Sequence, residues 1–119
     1  MRMNNKELGK WGEQIAAKFL KKSGFVIIER NYRCRLGEID LITSAREQLI
    51  FVEVKTRSSS RYGLPGEAVN AKKRSKYFQI AAYYVNYKKL YNFDLRFDVI
   101  EIMRESDESY SLNHIPNAF

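Results

Sequence analysis

Residues 38–55, EIDLITSAREQLIFVEVK, read as two β-strands joined by a tight turn, and most of the fold follows from them. Glu38–Thr43 alternates, with Ile39 and Leu41 on one face and Glu38 and Asp40 on the other. Leu49–Lys55 is apolar at nearly every position, as expected of a central strand covered on both sides. Ser44–Gln48 is so short a turn that the two strands must run antiparallel. A hairpin centred on Arg46–Glu47 pairs Ser44 with Leu49, Ile42 with Phe51, Asp40 with Glu53 and Glu38 with Lys55. Directly opposed residues have Cβ atoms ~4.5–5.5 Å apart.

Working outward, residues about 5–23 carry Leu8, Trp11, Ile15 and Phe19 at steps of three and four, the spacing of an amphipathic helix. Asn4 or Asn5 can cap its start and Gly24 can end it. Phe25–Arg30 is rich in β-formers, and Asn31–Gly37 reads as a polar connection. Downstream, Thr56–Gly66 has three serines, two glycines and a proline and reads as a flexible loop. Asn70 can cap a second helix running to about Tyr87, with Phe78, Ala81, Ala82 and Val85 as its apolar stripe. Leu95–Ile102 is a further strand, and Tyr110–Ile115 an edge strand. The order αβββαβ, with a final β, predicts an α/β fold with a mixed central sheet flanked by helices, built as one domain over residues 1–119.

The predicted register sets Asp40 against Glu53, with Lys55 sharing Glu53's face. Like charges opposed across a sheet are destabilising, so a purely structural hairpin should avoid the pair. A divalent cation between them reverses the sign. Mg²⁺ (or Mn²⁺) takes one or two carboxylates and completes its shell with water and phosphate. Lys55 beside it could orient an attacking water or neutralise charge growing on phosphate oxygens. The combination suits phosphodiester hydrolysis. Glu-x-Lys alone is equally an exposed salt-bridged face. Here it lies within an apolar strand, where unpartnered charge is costly. Glu13 borders the apolar stripe of the first helix, with small residues Gly9, Ala16 and Ala17 a turn away that would let a helix approach the sheet; the plainer reading is a solvent-exposed glutamate. Glu38 is either a further ligand or the partner of Lys55.

The composition narrows the alternatives. With 45% hydrophobic and 29% charged residues the chain reads as globular rather than disordered. One cysteine and one histidine cannot build a structural zinc site. No nucleotide-binding glycine loop occurs. No apolar run suits a bilayer span or a signal peptide, which points to the cytoplasm and away from membranes. The net charge of +7 is concentrated. Residues 55–76 hold seven basic groups (Lys55, Arg57, Arg61, Lys72, Lys73, Arg74, Lys76) against one acid, while the remainder is nearly balanced. Arg57, Arg61, Lys72, Lys73 and Lys76 are therefore candidate phosphate contacts, the alternative being a solvated helix start. Arg96 and Asp98 share a strand face and read as an internal salt bridge, and Tyr83, Tyr84, Tyr87 and Tyr91 as core packing or a dimer contact ahead of a base-stacking surface. Trp11 reads as core, Cys34 as a loop thiol, and His114 has no evident partner.

GEIDLI (Gly37–Ile42) followed by FVEVKTR (Phe51–Arg57) resembles the PD-(D/E)xK nuclease superfamily. With GEQIAAKFL, the segment from Ala68-Val69 to Lys73, RFDVIEI (Arg96–Ile102) and HIPNAF (His114–Phe119), the likeness extends over nearly the whole chain to the YraN-like bacterial proteins, described as predicted endonucleases distantly related to archaeal Holliday junction resolvases. The resemblance implies the restriction-endonuclease-like αβββαβ core. It implies Asp40 as the first motif acid, Glu53 and Lys55 as the (D/E)xK pair, Glu13 as the helix glutamate of the resolvase-like branch, and Lys73 as the basic residue near the start of the second helix. Ile39 stands where the superfamily motif has proline. The expected function is a metal-dependent endonuclease acting on DNA, branched or junction DNA included, recognised by shape and charge; a homodimer would supply two sites for two strands. The alternatives are a non-catalytic nucleic-acid-binding module on the same fold and a basic patch that docks an acidic partner.

Overall fold

Two helices and five strands make up the computed structural model, which describes residues 3–58 and 69–119. Helix α1 (Asn5–Lys22) begins with a capping box: the Asn4 side chain accepts from the Glu7 amide and the Glu7 side chain from the Asn4 amide. Strands β1 (Val26–Cys34), β2 (Gly37–Ala45) and β3 (Gln48–Arg57) follow, then helix α2 (Ala71–Lys88), β4 (Asp94–Arg104) and β5 (Tyr110–Ile115). Asn70 caps α2 by accepting from the Lys73 amide at 2.9 Å. The sheet order β1-β2-β3-β4-β5 equals the chain order, antiparallel except for the parallel β3–β4 pair. This is the mixed sheet and αβββαβ order expected, with β5 added at the edge. Among the described residues no helix is long and apolar enough to cross a membrane.

The sheet carries a core on each face. Ala16, Ala17 and Leu20 of α1 pack on Leu41, Ile50, Val52, Ile100 and Ile102. Tyr77, Ile80, Ala81 and Tyr84 of α2 pack on Ile39, Ile42, Leu49 and Phe51. β3 supplies both cores, and Leu49–Glu53 are all buried, which is why its sequence is apolar without alternation. The α2 stripe differs from the expected one: Ala82 turns outward, Phe78 sits half-exposed at the margin with its ring edge-on to Phe97, and Tyr77, Ile80, Ala81 and Tyr84 face the sheet at i, i+3, i+4 and i+7. The two phenol hydroxyls are satisfied by Glu53 and Glu29, which lets tyrosines take core positions that pattern alone gave to smaller side chains. Likewise α1 approaches through Gly12, Ala16 and Ala17, whereas Gly9 meets nothing within 4 Å.

β1 runs on through Asn31–Cys34, where a connection was expected, because an edge strand can pair through its backbone while carrying polar side chains. β3 similarly extends through Thr56 and Arg57. Residues 59–66 of the expected loop, with Arg61, lie outside the described residues. The β2–β3 turn is centred on Arg46–Glu47 as expected but is shorter than Ser44–Gln48: Ser44 and Ala45 pair with Leu49 and Gln48, leaving only Arg46 and Glu47, both at positive φ (50° and 66°).

On the α1 face, fully buried Asp98 ties β4 to β5. It accepts from Arg96 (2.9 and 2.8 Å) and the Asn117 amide (2.9 Å), and bonds His114 Nε2 (2.8 Å). The expected Arg96–Asp98 pair is there, and His114 has the partner its sequence context did not reveal. Burial raises the Asp98 pKa, but the bonds from His114, Arg96 and Asn117 outweigh it and hold the carboxyl below its ordinary value. Asp98→Ala is expected to lower stability by about 3 kcal/mol in urea unfolding, since it strands a guanidinium; a loss under 1 kcal/mol would mean that Arg96 is sufficiently held by Gln48.

Candidate functional site

Regular pairing of β2 with β3 runs from Ala45–Gln48 to Leu41–Val52, in the register read from the sequence, and stops there. Asp40 is the next residue, and its side chain takes over the ladder: the Val54 amide donates to Asp40 Oδ2 at 2.8 Å. Alternation also breaks at this point. Ile39 packs on the α2 side and Leu41 on the α1 side, not on one face as expected. β1 is distorted in step. Its Asn31, facing this break, has φ 51°, a conformation asparagine tolerates better than most residues. The site therefore sits where the two strands bend together.

Asp40 is half-buried and meets Glu53, which is only 5% exposed. Burial is the largest reason that the Asp40 pKa is raised, to about 7. The charge of Glu53 adds to it, the Val54 amide opposes it, and the charge of Glu13 and a hydrogen bond between the Asp40 and Glu53 carboxyl groups raise it further. Glu53 has donors of its own on both oxygens: the Lys73 ammonium on Oε1 and the Tyr77 hydroxyl on Oε2. Burial and the charges of Glu53 and Asp40 push the Tyr77 hydroxyl pKa upward, so it stays a donor. Glu13 approaches from α1 and accepts from Asn31 Nδ2 at 2.8 Å.

The donor set is thus two adjacent carboxylates, hard oxygen ligands of the kind Mg²⁺ and Mn²⁺ take. Among the described residues no group of three or more His, Cys, Asp or Glu side chains could hold a metal ion. An ion here would rely on Asp40 and Glu53 and fill the rest of its shell with water or phosphate, as Mg²⁺ commonly does.

A family model described as "Uncharacterised protein family UPF0102" matches residues 12–102, a span that includes Glu13, Asp40, Glu53, Lys55 and Lys73. The chain belongs to this family. A UPF0102 protein of Clostridium acetobutylicum is 50% identical over 116 residues, covering 97% of this chain and 95% of its own length. Relatives from Clostridium perfringens (46% over 120 residues, 100% and 98% covered) and Clostridioides difficile (46% over 117, 98% and 100%) bear the same family name. UPF0102 is the YraN-like family that the motifs resemble.

The remaining candidates of this UPF0102 chain fall into three groups. Lys55 shares the α2 face of β3 with Glu53, lies beside Glu101 of β4, and lines a cleft of about 620 Å³ together with Arg57, Arg104 and Asn113. Lys72 and Lys76 are exposed on the first turns of α2; Lys73 is also exposed along much of its side chain, but its ammonium reaches Glu53. Glu38 is not brought to Lys55. It sits across from Arg33 of β1 and accepts from its Nε at 3.2 Å, because β2 has left β3 after Leu41. Sequence reasoning missed Tyr77 and Asn31. Tyr77 stands four residues after Lys73, hence on the same helix face, and that spacing was the available signal. Nothing in the sequence links Asn31 to Glu13.

Proposed function

We propose that this protein is a divalent-metal-dependent endonuclease that hydrolyses phosphodiester bonds in DNA, branched or junction DNA included. The observation that carries the reading is the Asp40–Glu53 contact. Two carboxyl groups are held together at the end of a ladder, one of them displaced to a pKa of about 7, beside Lys55 and Lys73. Structural hairpins avoid such a pair, whereas a hydrolytic metal centre requires it.

Asp40 and Glu53 would hold Mg²⁺ or Mn²⁺, and that ion when bound acidifies a water and polarises phosphate. The protein's own groups do the rest. The Val54 amide fixes the Asp40 carboxyl in place, and Tyr77 does the same for Glu53. Lys55, on the face of Glu53, orients the attacking water and offsets charge that grows on the phosphate oxygens. Glu13, set by Asn31, adds negative charge near Asp40 and can accept a hydrogen bond from that water. Arg57, Lys72 and Lys76 hold the backbone by charge, so recognition follows shape and not sequence. Cutting both strands of a junction would use two copies of the chain.

The test is a cleavage assay on labelled four-way junction, flap, single-stranded and linear duplex DNA with Mg²⁺, Mn²⁺ or EDTA. Metal-dependent cutting of at least one substrate is expected, lost in Glu53→Ala with DNA binding intact. Salt-sensitive binding without cutting would favour a non-catalytic binding module. Binding absent, or indifferent to salt, would point to an acidic protein partner.

A further inference from the structure

Lys73 is an odd residue for its place. It is the third residue of α2, where the helix dipole disfavours a cation, and Asn70 already satisfies its amide. Its ammonium is nonetheless held on Oε1 of a nearly buried glutamate, while about half of the Lys73 side chain remains exposed. Tyr77, one turn on, holds Oε2, so Glu53 stays anchored whether or not Lys73 is present. Exposed Lys72 and Lys76 beside it make the start of α2 attractive to phosphate. A lysine side chain can swing from Glu53 to the open surface by rotating about its own bonds, without moving the helix.

Resting on the metal-centre reading above, we infer that Lys73 is a positioning residue that couples metal binding to DNA binding. Without DNA its ammonium neutralises Glu53 and competes with a divalent cation for Oε1. A DNA phosphate at the start of α2 competes in turn for the ammonium, and as Lys73 moves to the phosphate it leaves Glu53 to the metal. Each ligand then strengthens the other by the same factor, as linkage requires. The protein thereby keeps its carboxylates screened until substrate arrives.

The experiment is calorimetric titration with CaCl₂, a divalent probe chosen to leave DNA uncut, in the absence and presence of a short DNA duplex. The full-length wild type is compared with Lys73→Met, Lys73→Arg and Asp40→Asn. Without DNA, Lys73→Met is expected to bind Ca²⁺ about tenfold more tightly than wild type, within the usual span of such couplings. DNA is expected to tighten Ca²⁺ binding to wild type and to Lys73→Arg, and much less to Lys73→Met. Equal or weaker Ca²⁺ binding by Lys73→Met, or an equal DNA effect in both, overturns the coupling. If Asp40→Asn still abolishes binding in that case, the metal centre stands without it. Ca²⁺ binding that survives in Asp40→Asn, or is absent from every protein with and without DNA, overturns the metal centre and the coupling together. The readout is a binding constant, which a lysine serving only to hold α2 in place would not improve when removed.

Discussion

Asp40→Asn is expected to abolish cleavage, by on the order of a thousandfold or more, and at pH 8 to raise the stability of the metal-free protein. The second half follows from the raised pKa. The Asp40 carboxyl titrates near its ordinary value of 3.8 when unfolded and at about 7 when folded. Between those values the folded protein binds the extra proton, so stability is full below about pH 4 and falls as pH rises through 7. Above pH 7 the ionised carboxylate faces Glu53 at a cost of up to about 4 kcal/mol, reduced by the solvent that reaches the site. Asparagine still offers an oxygen to the Val54 amide and carries no charge. Thermal unfolding of the two proteins should show the variant several degrees higher at pH 8, less than half as far ahead at pH 5, and little different only below about pH 4. Saturating Mg²⁺ should then raise the wild type and leave the variant unchanged. A variant no more stable than wild type at pH 8 would mean that the acid pair carries no strain, and the main support for a metal centre would go with it.

Gly12→Ala is expected to destabilise the fold by about 2–3 kcal/mol, against the usual sign for a helix. In a solvated helix interior this change gains roughly 1 kcal/mol. At Gly12 the new Cβ would stand 1.9 Å from Thr56 Oγ1 and 2.8 Å from both carbons of that side chain. Relief requires α1 to lift from β3, which opens the core around Ala16, Ala17 and Leu20 and draws Glu13 away from Asp40. Gly9→Ala is the matched control: nothing lies within 4 Å, and it should be neutral or stabilising. The denaturant midpoint should therefore fall for Gly12→Ala and hold or rise for Gly9→Ala. Thr56→Ala, which removes two of the three contacts, should restore part of the loss in the Gly12→Ala background. Equal midpoints for both glycine variants would show that the helix yields without cost.

What the sequence reveals and what it hides divide along a physical line. The hairpin register, both asparagine caps, the central β3 and the edge strand β5 depend on neighbouring residues, and each was readable. The adjacency of Asp40 and Glu53 was readable for the same reason, since a short turn fixes which residues oppose. The break at Asp40 was not, because it arises from competition between a side chain and the backbone for the Val54 amide, aided by the unusual φ of Asn31 on the neighbouring strand. That break in turn sends Glu38 to Arg33. The inward turn of Lys73 depends on how α2 rolls over the sheet. The roll is set by two tyrosine hydroxyls finding glutamates on different strands, beyond the reach of any local pattern.

The match between sheet order and chain order also bears on how the molecule assembles. β1, β2 and β3 can zip as successive hairpins, and β5 can fold back on β4, each closing a small loop in about microseconds. The one distant junction is the parallel β3–β4 pair, which must wait for the connection from residue 58 to 93 that carries α2. Loop-closure entropy concentrates there. The two acids thus meet early and locally, while the ammonium that screens Glu53 arrives with the slowest step. For part of every refolding event the hairpin carries its repulsion alone, so on the proposed metal-centre reading a divalent salt in the refolding buffer is expected to speed formation of the half-built chain as well as to stabilise the finished one.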